Sequence, residues 1–281
     1  METVAIAAAE SEDLAGREPV LRVAGLTVRY GNTVTVRDVH LDLHPGETVA
    51  LVGGSGAGKS TVAKAIAGLV VPSAGSILLD VCAEGGELVD LLAASASVRR
   101  AARRAVHLVM QDPYASLPPH RRVIDIVAEP LVIHRIGGAT EREEAGRSAL
   151  LAVGLDPARY AHRLPHELSG GERQRVAFSR AIVTRPAVIL ADEPTGMLDA
   201  TLRAEVSQLM GDLARDNGTA ILHITHDLAL AAHTCDRVVV MADGAVIEQG
   251  PTAQVLHNPQ HATTERLLTA ALRGSRRVRS A

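Results

Sequence analysis

The sequence predicts an α/β chain: a mainly parallel sheet, an antiparallel β portion before it and a helical insert within it. Three observations lead there. Residues 20–52 alternate apolar and polar positions between the turn pairs Gly31-Asn32 and Pro45-Gly46, the pattern of short strands. From residue 188 onward, apolar runs alternate with helical segments, which argues for parallel strands with crossovers. Between these regions, over 113–168, strand signals fade and helical stretches lie between Pro and Gly breaks.

In chain order, the first strands are VLRVAGLTVRY (20–30), VRDVHLDLH (36–44) and ETVALVG (47–53). A helix follows over Lys59 to Leu69, with Val62, Ile66 and Leu69 at helical spacing. GSILLD (75–80) and AVHLVMQD (105–112) read as further strands. Between them SASVRRAARRA reads as a helix exposing Arg99, Arg100, Arg103 and Arg104, a solvated face rather than an anion contact. TEREEAGRSALLAVGL (140–155) belongs to the helical insert. Then come strand VILAD (188–192), helix 202–216 closed by Asn217-Gly218, strand TAILHIT (219–225), a helix, and strand RVVVM (237–241). No internal repeat is present, so the expected division is a flexible tail over 1–18, one domain over 19–272 with a helical subdomain at about 113–180, and a basic tail over 273–281.

Composition narrows the function. With 281 residues, 47% of them hydrophobic, the chain can bury a sizeable core. A net charge of −3 argues against a nucleic-acid groove, and Tyr30, Tyr114, Tyr160 and Phe178 are too few to build a base-stacking platform. Cys82 and Cys235 form no CxxC and read as small core residues in a reducing compartment. No run approaches the ~18 apolar residues of a membrane helix, and the N-terminus lacks the basic region of a signal peptide. A membrane role would therefore come through a partner.

The chemistry begins at GGSGAGKST, 53–61, which fits GxxxxGK[ST] between a strand and a helix. Here Gly53, Gly54, Ser55, Gly56, Ala57 and Gly58 let backbone N–H groups converge on phosphate oxygens at a helix N-terminus. Lys59 reaches the β- and γ-phosphates, Ser60 ligates Mg²⁺, and Thr61 lies near the α-phosphate. This makes the sheet a P-loop NTPase core. Asp192 ends an apolar strand, where a carboxylate faces the loop at the carboxyl edge of a parallel sheet. It is expected to hold Mg²⁺ through water, while Glu193 polarises the attacking water. His223 and His226 face opposite ways on a strand and make no zinc pair. The i,i+4 pairs His162/His166 and His257/His261 are broken by Pro165 and Pro259. No metal site beyond Mg²⁺ is expected.

LSGGERQRV, 168–176, is far rarer than a phosphate loop. It resembles the signature of the ABC ATPases, with Ser169 twenty-three positions before Asp192. The resemblance, spanning Tyr30 to His226 in the family's motif order, covers most of the chain. It implies that Ser169, Gly170 and Gly171 complete the ATP site of a second ATPase subunit, identical or homologous, so that ATP is sandwiched between two chains. It implies a switch role for His226 at the γ-phosphate and a Mg²⁺-sensing role for Gln111 at the edge of the insert. Tyr30 becomes the aromatic that stacks on adenine, and Asp199 in TGMLD the aspartate that crosses the dimer interface. Alone, Tyr30 would be read as core packing and Gln111 as surface. Many family members have SALD where Gly196 and Met197 stand here.

Within that family, QDPYASLPPHRRVIDIVAEPL (111–131) and VIEQGPTAQVLHNPQHATTERLLTAAL (246–272 in span) look like the oligopeptide, dipeptide and nickel importer group. HATTERLL lacks the Pro and Tyr usual there, and no cysteine cluster follows, so no iron–sulfur site is expected. The resemblance implies an ATP-binding, ATP-hydrolysing importer subunit on the cytoplasmic face of the cell membrane. Its partners would be transmembrane permease subunits and an extracytoplasmic solute-binding protein, with no nucleic acid. The alternative is a soluble ABC ATPase outside transport, such as an accessory of phosphonate metabolism. Translation or repair ABC proteins would need tandem ATPase domains or a long coiled coil. Tyr114 either anchors a permease helix or packs inside the insert.

Overall fold

The computed structural model describes residues 18–81, 87–112 and 116–278, with side chains to residue 271. Cys82 and Tyr114 therefore lie outside the described residues, as does nearly all of the expected N-terminal tail.

Two sheets meet at the phosphate loop. Strands β1 (Leu21–Tyr30), β2 (Thr33–Leu43), β4 (Ala74–Leu79) and β5 (Val89–Asp90) form an antiparallel sheet in the order β2-β1-β4-β5. The second sheet runs β10-β9-β3-β8-β7-β6, with β3 (Thr48–Gly53), β6 (Val106–Val109), β7 (Val188–Asp192), β8 (Ala220–Thr225) and β9 (Arg237–Ala242) all parallel. Only β10 (Ala245–Pro251) pairs antiparallel, at one edge. Every residue of β3 and β8 is buried, as expected for strands covered on both faces.

Helix α1 (Lys59–Ile66) follows β3, and α2 (Ala96–Ala105) leads into β6. The insert comprises α3 (Val123–Ile133), α4 (Ala139–Ala152), the single turn α5 (Pro157–Tyr160) and α6 (Gly170–Ile182). Beyond it stand α7 (Ala200–Asn217), α8 (Leu228–Thr234), α9 (Thr252–His257) and α10 (Ala262–Val278).

One hydrophobic core lies between the antiparallel sheet, α1 and one face of the parallel sheet; a second lies under the insert on the other face. Strand β7 serves both. Its alternating side chains send Val188 and Leu190 into the first core and Ile189 and Ala191 into the second.

Several expectations change in detail. The predicted strand over 105–112 is only Val106–Val109, because Ala105 still belongs to the Arg-rich helix and the chain leaves the sheet at Met110. Helix α1 ends at Ile66, since Gly68 takes a left-handed φ of 70°. Backbone helix α10 continues to Val278, into the segment that composition alone separated as a basic tail. The four α2 arginines are exposed and Cys235 is buried, both as expected.

Candidate functional site

The loop after β3 takes its shape from backbone that only glycine tolerates. Gly53, Gly56 and Gly58 have φ of 157°, 80° and 97°. A Cβ at Gly53 would lie 2.3 Å from the Met241 carbonyl oxygen, and one at Gly58 would lie 2.8 Å from that of Thr35. The loop is thus wedged between β9 and the β1–β2 hairpin. Lys59 Nζ donates to the carbonyls of Gly53 (2.9 Å) and Gly54 (3.0 Å), which holds its ammonium over the loop. Burial lowers the Lys59 pKa, while the Glu193 and Asp192 carboxylates oppose that shift.

Ser60 Oγ donates to Asp192 Oδ1 at 2.9 Å, joining the first turn of α1 to the end of β7. Burial raises the Asp192 pKa; the Ser60 bond pulls it down and Glu193 pushes it up again. Glu193 continues from β7 with its N–H donated to the Ile224 carbonyl at 2.9 Å, in a left-handed conformation (φ 46°). There its Oε2 lies 3.4 Å from Gln111 Nε2 and 3.4 Å from His226 Nδ1. Strands β6, β7 and β8 are adjacent, so their carboxyl ends bring these three residues together from distant parts of the sequence.

A cleft of about 430 Å³ opens here, lined by Thr35, Ser55, Gly56, Ala57, Gly58, Lys59, Ser60, Thr61, Glu193 and His226. Thr35 was missed by sequence reasoning. Its only signal was its place on the hairpin beside Tyr30. Ser60 and Asp192 are hard oxygen donors 2.9 Å apart beside the half-buried Glu193 carboxylate, a set that fits Mg²⁺. Among the described residues no group of three or more His, Cys, Asp or Glu could hold another metal. His223 is fully buried, and desolvation lowers its pKa to about 4.

The other candidates lie apart from this cleft's lining. Tyr30 is 50% exposed at the end of β1, paired with Thr33 across the hairpin. Ser169 caps α6: its N–H donates to Glu172 Oε2 (2.7 Å), and its Oγ accepts from the Glu172 N–H (3.3 Å). Ser169 is exposed, Gly170 is half-buried and Gly171 is buried against Leu202. Asp199 caps α7 by accepting from the Leu202 N–H (3.0 Å) and is also exposed. The exposed helix start at Ser169, a feature that suits an anion, is thus not part of the cleft's lining.

The ABC transporter family profile matches residues 36–196. The chain is 42% identical over 275 residues to the glutathione import ATP-binding protein GsiA of Shigella boydii serotype 4 and of Escherichia coli K12. Each alignment covers 93% of this chain and 42% of the relative, so the chain spans about two fifths of the length of the curated relatives it matches. Among solved structures, cbiO1 from Clostridium perfringens, part of the ABC transporter complex cbiONQ, superposes with a TM-score of 0.76 at 29% identity, covering 86% of this chain and 92% of that one. The dimeric bacterial ABC transporter cassette MJ0796 gives 0.69 at 28% identity, covering 83% and 98%. Its post-hydrolysis form, bound to ADP and Pi, gives 0.68 at 27%, again covering 83% and 98%.

Proposed function

The chain belongs to the ABC transporter family, and we propose that it is the ATP-binding, ATP-hydrolysing subunit that powers an importer of small peptides, nickel or related small solutes. The observation that carries the mechanism is the separation of the exposed Ser169 helix start from the chain's own phosphate cleft. Such a half-site is completed by a second cassette, identical or homologous, closing over ATP. In that arrangement the phosphate loop and Lys59 bind the phosphates, and Tyr30 stacks on adenine. Glu193, bracketed by Gln111 and His226, takes a proton from the attacking water. Mg²⁺, when bound, would be held by Ser60, Asp192 and Gln111 and would neutralise charge on the phosphates. Ser169 and Gly170 of each chain meet the γ-phosphate of the other, with Asp199 between them at the interface.

Among the described residues no helix is long and apolar enough to cross a membrane. In this reading permease subunits span the membrane, with this chain peripheral on the cytoplasmic face and a solute-binding protein outside. Similarity to glutathione import proteins favours the peptide arm, since glutathione is a tripeptide. The test is purification of the chain with its associated subunits from native membranes, followed by ATP-dependent uptake of a labelled tripeptide and of Ni²⁺ into vesicles. Gly170→Asp sets a carboxylate against the incoming phosphate and should abolish hydrolysis while each chain still binds ATP. Recovery free of membrane subunits, or normal hydrolysis in Gly170→Asp, would overturn the reading.

A further inference from the structure

The proposed half-site begins at Ser169, and its geometry depends on a residue outside the signature. Tyr160, the last residue of α5, is buried, and its hydroxyl donates to Glu172 Oε1 at 2.6 Å. The second Glu172 oxygen accepts the Ser169 N–H at 2.7 Å. One carboxylate thus ties the signature turn to the helical insert. Two guanidinium groups also lie over the Tyr160 ring, Arg159 at 5.3 Å and Arg163 at 4.9 Å from its centroid.

The arrangement answers two physical problems. A free carboxylate three residues into α6 has several rotamers, and only one caps Ser169. The Tyr160 bond selects that one. A carboxylate beside a phosphate-receiving helix start also repels the phosphate. Here burial works against the Glu172 charge, but bonds from Tyr160 and Ser169 and the nearby Arg163 hold it anionic and compensated. Because Ser169 Oγ accepts from the Glu172 N–H, its own proton stays free to donate to an incoming anion.

We infer that Tyr160 is a positioning residue for the signature turn, acting through Glu172 to hold Ser169 in the orientation that receives the partner's γ-phosphate. This rests on the sandwich reading above. It also gives the insert a direct grip on the half-site: when α5 shifts, Glu172 and Ser169 shift with it.

The experiment uses Tyr160→Phe, which keeps the ring beside Arg159 and Arg163 and removes only the hydroxyl. The complex as it purifies from membranes is compared with the variant for thermal midpoint, ATP binding to the open state, ATP-driven closure and the kcat against KM split. A hydrogen bond to a charged group corresponds to about a tenfold to hundredfold effect when it is lost. The expected result is a kcat and closure defect of about tenfold, with open-state ATP binding nearly unchanged and the thermal midpoint lowered by only a few degrees. Glu172→Gln is measured beside it and in combination. If the two residues act through one contact, the double variant should be no worse than the poorer single one. A parallel loss of midpoint and open-state binding would make Tyr160 merely structural and overturn the inference, as would unchanged closure or additive defects. Gly170→Asp separates the two levels of argument. If it abolishes closure while Tyr160→Phe does nothing, only the Tyr160 inference fails; if it leaves closure intact, the sandwich reading fails.

Discussion

Replacing Glu193 with Gln tests the centre of the proposed mechanism. The substitution preserves size and leaves one oxygen able to accept from Gln111 Nε2 or His226 Nδ1, both at 3.4 Å in the native chain. It removes the capacity to take a proton from water. Loss of a general base costs on the order of 10²–10⁴ in rate, or roughly 3–5 kcal/mol of barrier. Folding should be almost indifferent. Contacts of 3.4 Å are long, and the backbone strain at φ 46° is the same for Gln as for Glu. The assay pairs steady-state phosphate release with size-exclusion chromatography in ATP: turnover should collapse while an ATP-stabilised dimer accumulates. Glu193→Gly supplies an internal contrast, since relief of the left-handed conformation should stabilise the chain by about 1 kcal/mol while activity is equally lost. Near-normal turnover in Glu193→Gln, with its fold intact, would remove Glu193 from the mechanism.

Further outcomes follow from the same geometry. Asp192→Asn should raise the thermal midpoint of the ligand-free chain at neutral pH and abolish Mg²⁺-dependent hydrolysis. The raised pKa of Asp192 means its ionised form destabilises the fold above that pKa, and the penalty fades as pH falls through it, so the midpoint gain should shrink in acid. Gly53→Ala should damage folding or nucleotide binding by several kcal/mol, because its methyl would meet the Met241 carbonyl; a stable, ATP-binding Gly53→Ala would show that β9 yields. Burial lowers the His107 pKa to about 4, so the folded chain binds fewer protons than the unfolded chain below about 6.5. Stability should therefore fall as pH drops from about 6.5 to 4, and His107→Gln, which can still reach Thr184, should flatten that part of the denaturation profile.

What the sequence made legible divides along a physical line. The phosphate loop, Asp192-Glu193 and the signature are contiguous runs whose chemistry depends on local backbone, so they could be read directly, as could β3, β7 and β8 from their mostly apolar residues. The approach of Gln111, Glu193 and His226 could be anticipated only from motif order, because it depends on three strands being adjacent. Thr35 and the Tyr160–Glu172 bond were invisible: nothing local marks a threonine in a hairpin or a tyrosine ending a four-residue helix as part of a site. Strand β10 escaped because a sheet edge lacks the strong apolar run of the centre, and the start of β6 was set one residue early because Ala105, the last residue of the Arg-rich helix, suits a strand as well as a helix.

The shared position of β7 has a consequence for how such a machine can change. Its side chains anchor alternately in the two cores, and its tip carries Asp192 and Glu193. If the insert moves as a body in the proposed cycle, β7 is the strand it would move against: Ile189 and Ala191 face the insert while Asp192 at the strand's end stays bonded to Ser60. Under the proposed function, the exposed faces of α3 and α4 could then change toward new partners without touching Ser60, Asp192 or Glu193.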